Sequence, residues 1–196
     1  LYTVIKELNY ENQEECLLIG VFQDDEGFGD RLTNLDGKLR EELVTLKKAG
    51  DISGKLKHVA VIPTLGLVGV KRFLFVGLGK KANVSKDELR EAFGKAFKKV
   101  QQLKIGTVSV HLDTFTTDTI SQSDAAYLLG EAYRMATYRF AGYKTQKKKA
   151  ENTLRAITVY SSGDAAKVLD SLQIGDLYGK ATNSARTLVN TPPNLL

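Results

Sequence analysis

Apolar residues along the chain fall alternately into short unbroken runs and into three- and four-residue spacings, a pattern that predicts strands and helices in alternation. Thr3 to Leu8 and Glu15 to Phe22 open with strand character. In the second, Cys16, Leu17, Leu18, Ile19, Val21 and Phe22 form an apolar run too brief for a buried helix. Leu32, Leu35, Leu39, Leu43 and Leu46 then recur at helical steps, with Arg40, Glu42, Lys47 and Lys48 between them and Gly50 placed to stop the helix. Lys57 to Ile62 and Arg72 to Leu78 return to strand character and are ended by Pro63 and by Gly77 and Gly79.

Ser85 followed by Glu88 forms a capping box, and behind it Leu89, Ala92, Phe93, Ala96, Phe97, Val100 and Leu103 make the cleanest helical stripe in the sequence. Thr107 to Leu112 alternates as a strand, and a helix from about Ser123 is expected to bury Ala125, Leu128, Leu129, Ala132, Ala136 and Phe140. Leu154 to Tyr160 is a further strand. Two helices are expected after it: a short one with Ala165, Val168, Leu169 and Leu172, and a second with Leu177, Ala181, Ala185 and Leu188 on one face, stopped by Pro192 and Pro193.

This alternation predicts an α/β sheet covered by helices on both faces. Two opening strands with no helix between them predict that the sheet is mixed. Without a repeat or a low-complexity linker, residues 1–172 read as one domain, and residues 173–196 as a helix and Pro-Pro connector leaving it.

Composition narrows the class. The chain has 196 residues, 42% hydrophobic and 26% charged, which is globular usage. The longest apolar stretch, His58 to Val70, is broken by Pro63, Gly66 and Gly69, short of the roughly 18 residues of a membrane span, so a soluble protein with no membrane partner is expected. The single Cys16 excludes an internal disulfide framework and favours a reducing, cytoplasmic setting. Leu1, without an initiating Met or a secretory pattern, reads as a trimmed end.

Candidate chemistry is sparse. The net charge of +5 is uneven: residues 1–30 hold eight acids and one Lys, whereas Lys144, Lys147, Lys148 and Lys149 cluster beside Tyr138, Phe140 and Tyr143. Those lysines could neutralise phosphates of a nucleic acid; the plainer reading is a solvated link between a helix completed by Phe140 and the next strand. Gly77, Gly79 and Ala82 fit a loose dinucleotide loop, whose amides would approach a phosphate. The capping box delays the helix to about residue 86, which favours a simple turn. His58 and His111 lack metal-ligand spacing, Asp24, Asp25, Glu26 and Asp30 lack EF-hand spacing, and Ser161, Ser162 and Gly163 form no nucleophile elbow. No catalytic or metal-binding residue is assigned.

The segment Ala181 to Asn194 closely resembles the interdomain linker of the leucine aminopeptidase (cytosol aminopeptidase) family, with its "A-R-x-L-x-N-x-P-P-N" signature. Phe75 to Lys80 resembles that family's mid-domain turn. Gly130 to Arg134, followed by Tyr138, Phe140, Tyr143 and Lys144, resembles its "Y-x-F-x-x-Y-K" segment, with Ala141 and Gly142 departing from the usual charged pair. The resemblance implies the N-terminal domain, a three-layer α/β/α sandwich similar to macro domains, joined to a C-terminal domain that removes N-terminal residues from peptides with two divalent metals, Zn or Mn. It also implies hexamers. The family's metal motifs, "V-G-K-G-x-x-F-D-x-G-G" and "N-T-D-A-E-G-R-L", do not occur here, so this chain alone is expected to be inactive and to need no cofactor of its own. Binding of ADP-ribose through Gly77 and Gly79, or of DNA through the lysines, is the alternative.

Overall fold

The computed structural model describes residues 1–140 and 154–191. The strands are β1 (Tyr2–Ile5), β2 (Leu17–Val21), β3 (Val59–Pro63), β4 (Arg72–Gly77), β5 (Thr107–His111) and β6 (Ala156–Tyr160). The helices are α1 (Gly37–Ala49), α2 (Lys86–Gln102), α3 (Gln122–Ala136) and α4 (Ala165–Asn190). Side-chain oxygens start all four helices, from Asp36, from the Ser85 and Ser121 capping boxes, and from Asp164. Gly50, at φ 92°, closes α1 in the left-handed region, as the sequence predicts.

The six strands form one sheet in the order β1-β6-β5-β2-β4-β3. It is mixed as expected, but for another reason. β1 and β2 are not neighbours: β1 is an edge strand paired in parallel with β6, and the antiparallel member is β3, which folds back on β4. Thr64 stabilises that return, its backbone N–H donating to the Lys71 carbonyl at 3.1 Å and its hydroxyl to the Val70 carbonyl at 2.5 Å.

Period-two alternation sends Leu18, Leu74, Val76, Val108 and Val110 to the face covered by α2, α3 and α4. Leu17, Ile19, Val21, Phe73 and Phe75 go to the opposite face, under α1 and its flanking loops. The central strand β2 is buried on both sides, which gives the three-layer α/β/α arrangement. The α2 stripe is buried as expected from Leu89 to Val100.

Three expectations change. Leu32 lies in a 3-10 turn and Leu35 in the loop after it, because Asp36 caps α1 and sets its start. Phe140 lies beyond α3, which ends at Ala136, so it does not finish that helix core. The two C-terminal helices are one continuous α4 of 26 residues, about 39 Å long. Gly175 does not break it, because that glycine is where α4 crosses α3: a Cβ there would lie 2.0 Å from the Tyr127 carbonyl oxygen.

Candidate functional site

After β2 the chain lays β3 at the far edge and returns through β4 between them, then crosses to place β5 and β6 on the other side of β2. In open α/β sheets, ligands favour the crevice at the carboxyl ends of the two strands that flank such a reversal. Here the 3-10 turn Leu112–Phe115 fills its centre. The Gly20 N–H donates to the Thr114 hydroxyl at 2.7 Å, that hydroxyl donates to the His111 carbonyl at 2.6 Å, and a Cβ at position 20 would lie 2.6 Å from the Thr114 carbonyl. The remaining cavity, of about 240 Å³, is displaced toward β1. It is lined by residues 6–8 and Tyr10 after β1, by Arg31, Thr33 and Asn34 before α1, and by His111 at the end of β5.

Burial holds the His111 imidazole below its ordinary value; the Asp113 carboxylate opposes this and the Arg31 guanidinium reinforces it. Its Nδ1 is buried without a hydrogen-bond partner. Arg31 commits Nη1 to Asp25 and lays its guanidinium 4.5 Å from the centre of the Phe22 ring. Burial pushes the Tyr10 hydroxyl well above the usual phenol range, so it is a donor at neutral pH.

The glycine loop is tightly committed. The N–H groups of Gly77, Leu78 and Gly79 donate to the carbonyls of His58, Val21 and Gly54 at 2.8, 2.9 and 2.8 Å. Farther along, the Lys81 N–H donates to Asp24 Oδ1 at 2.9 Å, which holds that carboxyl below the usual range. A Cβ at Gly77 would sit 2.0 Å from the Lys55 carbonyl, and Gly79 has φ +78°, so both glycines serve close packing and a turn. As placed, none of these amides is free for a phosphate. Lys144, Lys147, Lys148 and Lys149 lie outside the described residues.

The other candidates are equally engaged. Asp25 pairs with Arg31, while Lys47 Nζ donates to the carbonyls of Asp25 and Gly27. Ser161 and Ser162 are held by Asp113, through a hydroxyl donation at 3.2 Å and an amide donation at 2.8 Å, as a turn into α4. Cys16 is fully buried just before β2, and burial pushes its thiol up to about 12. Among the described residues, no three His, Cys, Asp or Glu side chains gather in a way that could hold a metal ion.

Two features escape any local reading of the sequence. A groove of about 460 Å³ runs beside α2, with Gly94, Ala132, Met135 and Ala136 as its floor. Its rim carries Lys57, paired with Glu91, Arg90, paired with Asp87 and Glu131, and the cations Lys95, Lys98 and Arg186. Under α4, Asp176 is buried and accepts from Tyr2 Oη at 2.8 Å, from Arg134 Nε and from Lys180 Nζ at 2.7 Å. Burial alone would raise the Asp176 carboxyl, but the bonds from Arg134, Lys180 and Tyr2 outweigh it and hold it below the usual range. These four residues span positions 2 to 180; helical i,i+4 spacing joins Asp176 to Lys180, but no spacing rule brings in Tyr2 and Arg134.

The model of the cytosol aminopeptidase family, N-terminal domain, matches residues 18–147. Among solved structures, a mutant of tomato leucine aminopeptidase is similar over 100% of this chain with a TM-score of 0.79 and 20% identity, and the chain spans 39% of that enzyme. The bottromycin maturation enzyme BotP matches 91% of this chain with a TM-score of 0.64 and 17% identity, over 33% of its own length. The macrodomain of Thermus aquaticus DarG matches 82% of this chain and 98% of its own, with a TM-score of 0.57 and 11% identity. At these identities the structural likeness is one of fold, and it supports the macro-like description.

Proposed function

This chain belongs to the cytosol aminopeptidase family, as its N-terminal domain, and from that premise we propose that it is the non-catalytic accessory and assembly domain of a leucyl-type metalloaminopeptidase. Residues 1–172 form the body and residues 173–196 the connector to a catalytic domain. That domain supplies two divalent metals, Zn or Mn, and cleaves N-terminal residues from peptides, within a cytoplasmic hexamer. The residues described here do not form a fitting metal site, so no step of hydrolysis is assigned to them.

One observation carries this reading. Ile174, Leu177, Tyr178, Leu188 and Val189 of α4 are 41%, 63%, 57%, 59% and 85% exposed. With the exposed Ala181 and Ala185 they form an apolar stripe along the helix that runs into the linker signature. An apolar stripe left to solvent marks a surface made to be covered.

The test is an assay of the purified chain on leucine p-nitroanilide with added Mn²⁺ or Zn²⁺, alone and fused through the linker to a catalytic domain carrying the two metal motifs. The chain alone should give no turnover, and the fusion should. Turnover proportional to the chain alone, surviving repurification, would overturn the proposal. The nucleotide reading has less support, because the amides of Gly77, Leu78 and Gly79 are already committed.

A further inference from the structure

The cavity beside β1 is lined mainly by polar and charged side chains. Lys6 and Arg31 bring two cations to it, Glu7 lines it as an acid, and Asp25 is paired with Arg31, so the attraction for an anion is local donor geometry and not a net charge excess. Arg31 spends Nη1 on Asp25 and carries further N–H donors on Nε and Nη2. Tyr10 adds a phenol that stays protonated, Thr33 and Asn34 add polar side chains at the mouth, and His111 carries an unpartnered buried Nδ1. Buried polar atoms in native proteins are nearly always satisfied, by protein, water or ligand; among the described residues Nδ1 of His58 is buried and unpartnered too, so what distinguishes His111 is its place on the cavity wall.

The cavity, of about 240 Å³ and open at its mouth, lies just below the roughly 300–1,000 Å³ of drug-sized pockets, which suits a small molecule.

We propose that this cavity, at the carboxyl ends of β1 and β5, binds a small monoanionic metabolite, its carboxylate or phosphate oxygens held by Arg31 and Lys6 and its remaining polar groups by Tyr10 and His111. The site is independent of the aminopeptidase role and uses none of the residues of the α4 stripe.

The chain contains only two histidines, His58 and His111. His58 precedes β3 and is not among the residues that line the cavity, so it serves as an internal control. The imidazole resonances of the ¹⁵N-labelled chain are followed while acetate or inorganic phosphate replaces chloride at constant ionic strength. A saturable shift of His111 in the millimolar range, with His58 still, is the expected result; the tighter of the two probes distinguishes a carboxylate ligand from a phosphate. Lys6→Gln, at an exposed position, should weaken binding about five-fold, the loss of one charge-assisted contact, and Arg31→Gln should abolish it. The Lys6 variant keeps the test valid should loss of the Asp25 pair loosen the loop around Arg31. Equal movement of both histidines, a shift that never saturates, or unchanged binding in Lys6→Gln would each overturn the proposal.

Discussion

The first turns of α4 bury Val168 and Leu172 in the core, but beyond Leu172 the inner and outer faces of the helix carry opposite chemistry, in the reverse of the order expected for a helix on an isolated soluble domain. Inward, against α3, lie Gly175, Asp176 and Gly179, and farther along Asn183, whose side-chain amide donates to the Arg134 carbonyl at 2.7 Å. Outward lie Ile174, Leu177, Tyr178 and Leu188. From Gly175 onward the inner face therefore holds by close backbone approach and charged hydrogen bonds, whereas the outer face is mostly exposed apolar surface, with Tyr178 making an edge contact to Tyr127 of α3. Beyond Gly179 no described residue of α4 is fully buried, and the distal half is held to the body by polar contacts of Asn183 with Arg134 and of Arg186 and Thr187 with Tyr138.

The difference can be broken first at Gly175. Gly175→Leu forces side-chain atoms into the Tyr127 carbonyl, and a loss of about 4 kcal/mol or failure to fold is expected, read by urea unfolding of the chain. Asp176→Asn should cost about 3 kcal/mol, because it leaves Arg134 partly buried without its carboxylate. The same residue gives the pH sign. Its folded value lies below the ordinary 3.8, so its stabilisation is present above that pH and is lost as pH falls through the folded value. Acid titration of the wild type should therefore show a steeper loss of stability below pH 4 than the Asn variant shows. The double variant Leu177→Ser, Leu188→Ser should move the chain's stability by less than about 0.5 kcal/mol yet weaken docking of a catalytic domain supplied in trans. Equal effects on both faces in these experiments would erase the distinction.

Elements with a complete local code were legible in the sequence. The Ser85 box and the α2 stripe appear where the residue spacing puts them, because cap, period and burial agree along one continuous segment. The two helices expected after β6 are one, because the apolar sets ending at Leu172 and starting at Leu177 are joined through Gly175, whose close contact with the Tyr127 carbonyl is tertiary and leaves no local signal. Strand adjacency was illegible for a similar reason: β1 pairs with β6, more than 150 positions later, and nothing in either segment names its neighbour. The mixed character of the sheet was therefore anticipated correctly from the wrong pair of strands. The cavity residues Lys6, Arg31 and His111 come from three separate stretches, and only the sheet order brings them together. The lone glycine loop, where the delayed helix start favours a turn, is closely packed, with the amides of Gly77, Leu78 and Gly79 hydrogen-bonded within the fold.

Cys16 has a practical consequence. As the sole thiol, completely shut off from solvent and raised to about 12, it cannot meet an alkylating reagent while the native state persists. The central strand beside it must detach before the sulfur is trapped. The rate at which iodoacetamide consumes this atom thus counts excursions out of the folded ensemble, giving the molecule an internal stopwatch that needs no added probe.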